Sequence, residues 1–431
     1  GIRTRTSEDC REPVSAGKNL TGAEFCAPIT ALHGHLKHLL ENGRARQGEE
    51  YFFLPFYLEK KPQANGTRRQ YCYYTQFAPS LATALADNAG LSSDKLLTPL
   101  IHYLYHSFHT KAELYRMLSR ITDRKIGYFE VASAFEKALE FKADACHELK
   151  ELYIQEAESD DRLHVVLLGR PYSVLAKSMN KKIPHIFSSL GIKVFFQDML
   201  TVEEEDVLPL RDRLDEFQWY FAKQILQAAS VVARSRSAYP VLITSFKCSP
   251  DSYLVDQFRE LMEAHQKPYL VLQLDEHDSS VGYETRIEAA IESFRNHFRS
   301  ASETVGERVQ CRLSLNAPKK VDLDGKTLLL PNWDELTLRL VAAVLRREGI
   351  DARLLEGKPT TIRRSLRANT GQCTPLSLIA QEFIDYVQEH SMDPADTALW
   401  VIRSNISCNI CMFPHHIRKI FQSYGEKMAQ A

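Results

Sequence analysis

Val241-Leu-Ile-Thr-Ser-Phe-Lys-Cys248-Ser-Pro-Asp-Ser252, followed by Lys267-Pro-Tyr-Leu-Val-Leu-Gln-Leu-Asp275-Glu-His277, is the stretch from which the fold is read. Val241–Thr244 is short, apolar and rich in β-branched side chains, the pattern of a buried strand. Pro250 and Asp251 suit the first turn of a helix. Leu254, Phe258, Leu261 and Met262 then recur at helical spacing. Tyr269–Leu274 is a second apolar strand, ending in the polar run Asp275-Glu276-His277. Strand, helix and strand in this order make one parallel βαβ unit. Cys248 and Asp275-Glu276-His277 both fall just past the carboxyl ends of strands, the edge at which open α/β sheets bind ligands. A cysteine there is a candidate metal or redox ligand. A lone cysteine is more often an inert buried residue, so the other cysteines must decide.

Working outward, Leu163–Leu168 is another strand, running into the loop Gly169-Arg170-Pro171-Tyr172. A helix over Asn180–Leu190, a strand over Ile192–Phe196, a helix over Leu214–Ala229 and a closing helix over Tyr283–Phe298 complete an α/β domain across 160–300. Upstream, Cys26-Ala-Pro28 precedes a helix with Ile29, Leu32, Leu36, Leu39 and Leu40 on one face; His33, Gly34 and His35 lie on it. Tyr51–Phe56 reads as a strand, and Tyr71-Cys72-Tyr-Tyr74 follows a polar loop. Leu81–Glu158 has helical periods and few strand signals, so 81–159 reads as a helical insert or linker. Downstream, the strand around Leu328–Leu330 leads to a helix over Glu335–Arg347 whose Leu336, Leu340, Val341, Val344 and Leu345 are expected to face inward. Strand Ile350–Leu355, a helix introduced by Cys373-Thr-Pro375 and strand Leu399–Ile402 follow, the last running into Ser407-Cys408-Asn-Ile-Cys411.

Two segments read alike. Gly1-Ile2 leads to Cys26, a helix, a strand and Cys72; Gly349-Ile350 leads to Cys373, a helix, a strand and Cys408. The first intervals are 25 and 24 residues, the second 46 and 35. Two similar α/β domains, 1–80 and 320–431, would then flank the central one. The expected fold is thus α/β, with tandem flavodoxin- or Rossmann-like parallel sheets and a helical insert. Its first domain reads as truncated at the N-terminus, with Gly1-Ile-Arg-Thr-Arg-Thr-Ser7 as a strand entering from a Gly turn that would normally follow a helix.

The chain has 431 residues, 44% hydrophobic and 25% charged, and a net charge of −1. That composition is ordinary for a globular chain and gives no basic field for nucleic acid. No apolar run reaches the roughly 18–20 residues that span a bilayer, and the start has no signal-peptide character. A cytoplasmic location is the expectation. Nine cysteines, an odd number, are spread through a long chain, so structural disulfides are not expected. Cys26, Cys72, Cys248, Cys373 and Cys408 each adjoin a strand end or a helix start. There the helix dipole and free backbone N–H groups favour a thiolate and can hydrogen-bond cluster sulfides. Soft thiolates select Fe–S or zinc. Dispersed cysteines do not fit a zinc finger, whose ligands come in close pairs. Cys408-x-x-Cys411 alone has pair spacing, and a thioredoxin-like reading of it is weak because Met412-Phe-Pro precedes the next helix.

Cys26-Ala-Pro…His33-Gly-His35 and Tyr71-Cys72-Tyr resemble the cluster motifs of the (R)-2-hydroxyacyl-CoA dehydratase and double-cubane iron–sulfur superfamily, nearest its long activase-associated branch. Gly169-Arg-Pro-Tyr172…Asn180-Lys…Phe196-Gln-Asp198-Met and Lys247-Cys248-Ser-Pro-Asp-Ser252…Lys267-Pro-Tyr-Leu…Asp275-Glu-His277…Thr285-Arg286-Ile-Glu288 resemble that branch closely. The resemblance implies flavodoxin-like domains around a [4Fe-4S] cluster held by Cys26, Cys72 and Cys248. A double cubane would draw on Cys373, Cys408 and Cys411, although a clear counterpart of Cys248 is missing from that second set. It also implies a low-potential electron received from an ATP-dependent activase, either a separate chain or an absent part of the same product, and passed to a substrate that is an acyl-CoA in relatives. That would make the protein an acyl-CoA dehydratase- or reductase-like enzyme of anaerobic metabolism, with room for a homo-oligomer.

Simpler readings stand beside these. Cys10, Cys146 and Cys311 have no motif context. Gly169-Arg170-Pro171-Tyr172 could touch CoA or a cluster, yet a tight turn alone would explain its Gly and Pro. Asp275-Glu276-His277 could orient a substrate or only cap a strand. Two rival functions are a non-catalytic electron-transfer or scaffold module of a larger activase fusion, and a zinc-binding α/β protein.

Overall fold

The computed structural model describes residues 2–43, 50–60, 69–88, 91–101, 107–158, 162–275, 281–303, 323–368, 373–402, 404 and 408–431. The fold is α/β, with parallel strands dominating its sheets. The chain divides into two compact units, Gly1–Asp215 with Trp219–Leu313, and Glu216–Gln218 with Ser314–Ala431.

In the first unit, four strands form a parallel sheet. Leu270–Leu274 lies beside Ala238–Ser245, then His164–Gly169, then Lys193–Phe196. Every residue of the two inner strands is buried, while Leu270–Leu274 and Lys193–Phe196 at the edges are only partly so. Inner strands covered by helices on both faces need unbroken apolar runs, which is why they read so clearly. The register sets Leu167 opposite Val241 and Val241 opposite Leu270. Phe187, Ile287, Ile291 and Phe294 pack against Val165, Leu167, Tyr239 and Val241. Each such side chain contributes about 1.5–3 kcal/mol by leaving water. From His164–Gly169 the chain moves first to one side and then back to the other, so the sheet has its topological switch point between this strand and Ala238–Ser245.

The helix expected over Leu214–Ala229 is two, Arg211–Glu216 and Tyr220–Arg234. Trp219, wholly buried, takes an extended backbone between them and bridges Gln70. Tertiary burial of that indole overrides a helical period that runs straight through it.

The segment before the sheet contains the Cys26 helix, Ala27–Gly43, packed on Pro13–Lys18. Gly17 and Gly34 permit that approach, because a Cβ on either would overlap the other helix's backbone at Thr30 or Pro13. The expected strand over 51–56 is two short pieces, Phe52–Phe53 and Phe56–Tyr57, paired in parallel with Leu96–Leu97 and Leu100–Ile101. Pro55, which lacks an N–H, stands at the break. Ile2–Thr6 is exposed and irregular. Helices Tyr73–Asn88, Ser107–Ile121 and Tyr128–Tyr153 follow.

In the second unit, Thr327–Leu330 is flanked in parallel by Asp351–Leu354 and Thr397–Leu399. Helix Glu335–Arg347 buries Leu338 and Ala342, with Val341 and Leu345 packed beside them. Leu336, Leu340 and Val344, expected inside, are exposed. The helix carries apolar side chains on two faces, and its periodicity does not tell which meets the sheet. Helix Thr374–Glu389, capped by Cys373, has 16 residues against 17 in Ala27–Gly43, which follows Cys26. Among the described residues no helix is long and apolar enough to cross a membrane.

Candidate functional site

The carboxyl edge of the switch point carries two loops. After His164–Gly169 comes Arg170, which precedes the short helix Pro171–Val174. After Ala238–Ser245 come Phe246, Lys247 and Cys248, and Cys248 is the N-cap residue of helix Ser249–Ala264. Gly169 is required where the first strand ends. Its φ is +154°, and a Cβ there would stand 2.5 Å from Ile243 O and 2.6 Å from Val174 Cγ2. Its N–H donates to Gln197 Oε1 at 2.9 Å. Ser173 Oγ and Ser245 Oγ, both buried, meet at 3.3 Å and join the two loops.

A buried ion pair joins them more strongly. Arg170 Nε donates to Asp251 Oδ1 at 2.9 Å. Nη2 lies 2.8 Å from the same oxygen but is not aligned to hydrogen-bond it. The other carboxylate oxygen accepts from Thr244 Oγ1 at 2.9 Å. Arg170 is 2% exposed and Asp251 3%, so both charges are desolvated and each depends on the other. Asp251 sits in the first turn of the Cys248 helix, where a carboxylate also meets the positive end of the dipole. In the sequence alone, Asp251 is a helix starter and Arg170 part of a turn or a ligand-contacting loop. The signal that pairs them is an arginine on an apolar strand end, which needs a carboxylate if it is buried.

Two further thiols come to this edge from the segment before the sheet. Cys26 leads the Ala27–Gly43 helix, its carbonyl accepting from the N–H groups of Ile29 and Thr30 at 3.0 and 3.1 Å. Cys72 leads Tyr73–Asn88, its carbonyl accepting from Gln76 N at 3.0 Å and its Sγ lying 3.2 Å from Thr75 Oγ1. Cys26 and Cys72 are buried and Cys248 partly so. A thiolate at Cys72 repels one at Cys26, and thiolates at both repel one at Cys248. Three cysteines from three helix N-termini therefore share one electrostatic neighbourhood. Burial pushes the Cys26 thiol up to about 11, against a smaller pull from the Ile29 N–H. Burial raises Cys248 well above the ordinary thiol range, with Asp251 adding to the effect and Arg170 opposing it.

Aromatic side chains wall the neighbourhood. Phe25 stacks on His33 at 5.8 Å and meets Tyr74 edge-on at 5.4 Å. His33 Nδ1 is 2.8 Å from Ile29 O, so this buried histidine is held by its own helix. Burial lowers the affinity of His35 for a proton. Phe221 lies against Tyr172 and Tyr71 at 6.0 and 5.4 Å, with the Arg170 guanidinium 5.9 Å from its ring centre. Burial holds the Tyr73 and Tyr172 phenols protonated, so both keep an O–H donor near Cys72.

The remaining candidates lie elsewhere. Asp275, half-buried at the end of Leu270–Leu274, accepts at Oδ1 from Tyr283 OH at 3.4 Å. Glu276, His277 and Cys311 fall outside the described residues. In the second unit, Cys373 caps Thr374–Glu389 and a thiolate at Cys408 raises its pKa, burial being the larger cause. Cys408 is exposed at the start of a 3₁₀ turn and Cys411 is buried within it. The eight described cysteines are free thiols. Among the described residues no three His, Cys, Asp or Glu side chains converge closely enough to hold one metal ion. The donors around Cys248 are soft sulfur, the chemistry that suits an iron–sulfur group or zinc.

Residues 1–200 match the family described as the CoA enzyme activase uncharacterised domain (DUF2229). The match makes residues 1–200 similar to that activase-associated domain. No curated protein and no solved structure is significantly similar to the chain.

Proposed function

We propose that this chain is an iron–sulfur protein working with an ATP-dependent activase, and that Cys26, Cys72 and Cys248 hold a [4Fe-4S] cluster. Bound there, the cluster would supply one-electron chemistry at low potential, directed in this reading to an acyl-CoA. The observation that supports the proposal is the mutual electrostatic influence of three helix-leading cysteines and one buried arginine. The activase-domain match over 1–200 supports the activase as partner.

The chain's own groups have definite tasks in this reading. Helix N-termini offer N–H groups to sulfur and favour its negative charge. Arg170 offsets part of the charge of three thiolates, and Asp251 fixes its position. Tyr73 and Tyr172 remain neutral donors, and the aromatic wall keeps water out. Because burial keeps Cys26 and Cys248 as thiols at neutral pH, loading would release protons and be favoured by rising pH. Cys373, Cys408 and Cys411 would be the donors of a second group in the other unit.

Anaerobically purified protein should be brown and contain iron and acid-labile sulfide. Cys26→Ser, Cys72→Ser and Cys248→Ser should each deplete both, while Cys146→Ser should not. Any iron that survives the triple variant reports on the second cysteine set. Zinc without sulfide, or iron unaffected by all three substitutions, would refute the assignment.

A further inference from the structure

We infer that the first unit carries a second binding site, for a phosphate-ester anion, in a cavity of about 460 Å³ walled by Arg69, Arg211, Tyr220, Lys223 and Gln224. Two anchored elements build it. Tyr220, Lys223 and Gln224 form one face of the first turns of helix Tyr220–Arg234. Arg69 arrives on a strand paired with Glu59–Lys60, and its neighbour Gln70 bridges Trp219, the residue before that helix. The Tyr220 ring has the Arg69 guanidinium 4.8 Å and the Lys60 ammonium 5.5 Å from its centre.

The charge of the wall is unbalanced. Among the described residues of the wall, Asp215 is the one acid, against Arg69, Arg211 and Lys223. Arg211 spends part of its charge on Glu204, 2.8 Å away at the surface. Lys223 is 5% exposed, where an ammonium is costly to keep. Its helix breaks a local rule as well. The first turn carries no acid, Trp219 makes no side-chain cap, and Lys223 stands near the positive end of the dipole. Such a conflict between local preference and structure marks functional positions. An anion resolves it, and helix N-termini are suited to phosphate.

A phosphate dianion matches this wall better than a carboxylate. It offers more acceptor oxygens, can take the Arg69 fork in two parallel bonds, and has charge enough for Lys223 as well. The volume falls in the range of about 300–1,000 Å³ typical of small-molecule sites. Burial brings Lys223 down to about 8, Arg69 acting in the same direction and Asp215 opposing. A bound dianion would raise it again, so binding above pH 8 should take up a proton. Phe221, the residue after Tyr220, lies against Tyr71 and Tyr172 of the cysteine neighbourhood. The ligand is either the phosphorylated end of CoA or a free nucleotide. The CoA source rests on the proposed function; the site itself does not.

Calorimetric titration of the full chain, with and without metal, tests this using adenosine 3′,5′-bisphosphate, CoA, ATP, pyrophosphate and, as an uncharged control, adenosine. At least one phosphate anion should bind one to one below about 1 mM, and adenosine should not. Arg69→Gln and Lys223→Met should each weaken binding about tenfold or more, with Lys223→Arg retaining most of it. Arg69 is only partly buried, so its variant serves if Lys223→Met fails to fold. Preference for CoA and the bisphosphate assigns the CoA source; preference for ATP or pyrophosphate assigns a free nucleotide. Absence of binding by all four anions, or binding indifferent to Arg69→Gln in folded protein, overturns the site. Iron and sulfide content is a separate readout, so either proposal can fail alone.

Discussion

Arg170→Met should destabilise the first unit by about 3–5 kcal/mol, because it leaves one charge of a desolvated pair behind. Asp251 is 3% exposed and would retain only the Thr244 hydroxyl, at 2.9 Å. Asp251→Asn should cost a similar amount from the other side, since a buried guanidinium cannot shed its proton. The double variant should cost much less than the two together, with an interaction energy of about 2 kcal/mol or more. Urea unfolding followed by Trp219 fluorescence, in a background with Trp333 and Trp400 changed to Phe, isolates the first unit. That isolation matters because a chain of two units need not unfold in one step. Costs below about 1 kcal/mol for Arg170→Met, or strictly additive costs in the double variant, would show that the pair is solvated and refute its role in fixing the two loops.

Three other outcomes follow from the same geometry. Gly169→Ala should cost about 2–4 kcal/mol in urea unfolding, since its Cβ would meet Ile243 O under a positive φ. Lys267, buried with Nζ 2.6 Å from Ser235 O, is brought down to about 7 by burial; between there and its unfolded value the unfolded chain holds the extra proton, so first-unit stability should rise by up to about 5 kcal/mol from pH 7 towards 10.5, and Lys267→Met should remove that slope. His416, lowered to about 4 chiefly by burial, should act with the same sign in the second unit, in a more acidic window: stability present above pH 6.5 declines by about 3 kcal/mol as the pH falls to 4, and His416→Gln should flatten the loss.

The central sheet was legible because its inner strands are buried on both faces, and apolar runs such as Val241–Thr244 have no other cheap reading. Legibility failed where a feature was shorter than the window that detects it or where tertiary burial outweighed periodicity. Phe52–Phe53 and Leu96–Leu97 are too short to show alternation, yet they pair. The helical period through Leu214–Ala229 ignores Trp219, whose burial breaks the helix. On Glu335–Arg347 two apolar faces compete, and only the packing of Leu338 and Ala342 shows which one turns inward.

At the cysteine edge, sequence position places the thiols near strand ends and helix starts, and only the family resemblance groups Cys26, Cys72 and Cys248 as one set. Cys26 and Cys72 precede the sheet by far, so their approach to Cys248 depends on how the early helices dock. That docking includes the small apolar cluster of Val14, Ala27, Ala31 and Met179, the Tyr71 contacts with Tyr220 and Phe221, and the Gln70–Trp219 bridge. Alanines contribute little area to such a cluster, so the early segment is held by less apolar burial than the sheet core of Phe187, Ile287 and Phe294. A group bound by all three thiols would therefore do two things at once. It would relieve the mutual repulsion of buried sulfurs, and it would tie the early helices to the sheet, so that binding free energy becomes folding free energy for residues 1–88. The same link explains why Arg170 and Asp251 belong to the fold before they belong to any chemistry: they set the first turn of the Cys248 helix whether or not the thiols are engaged.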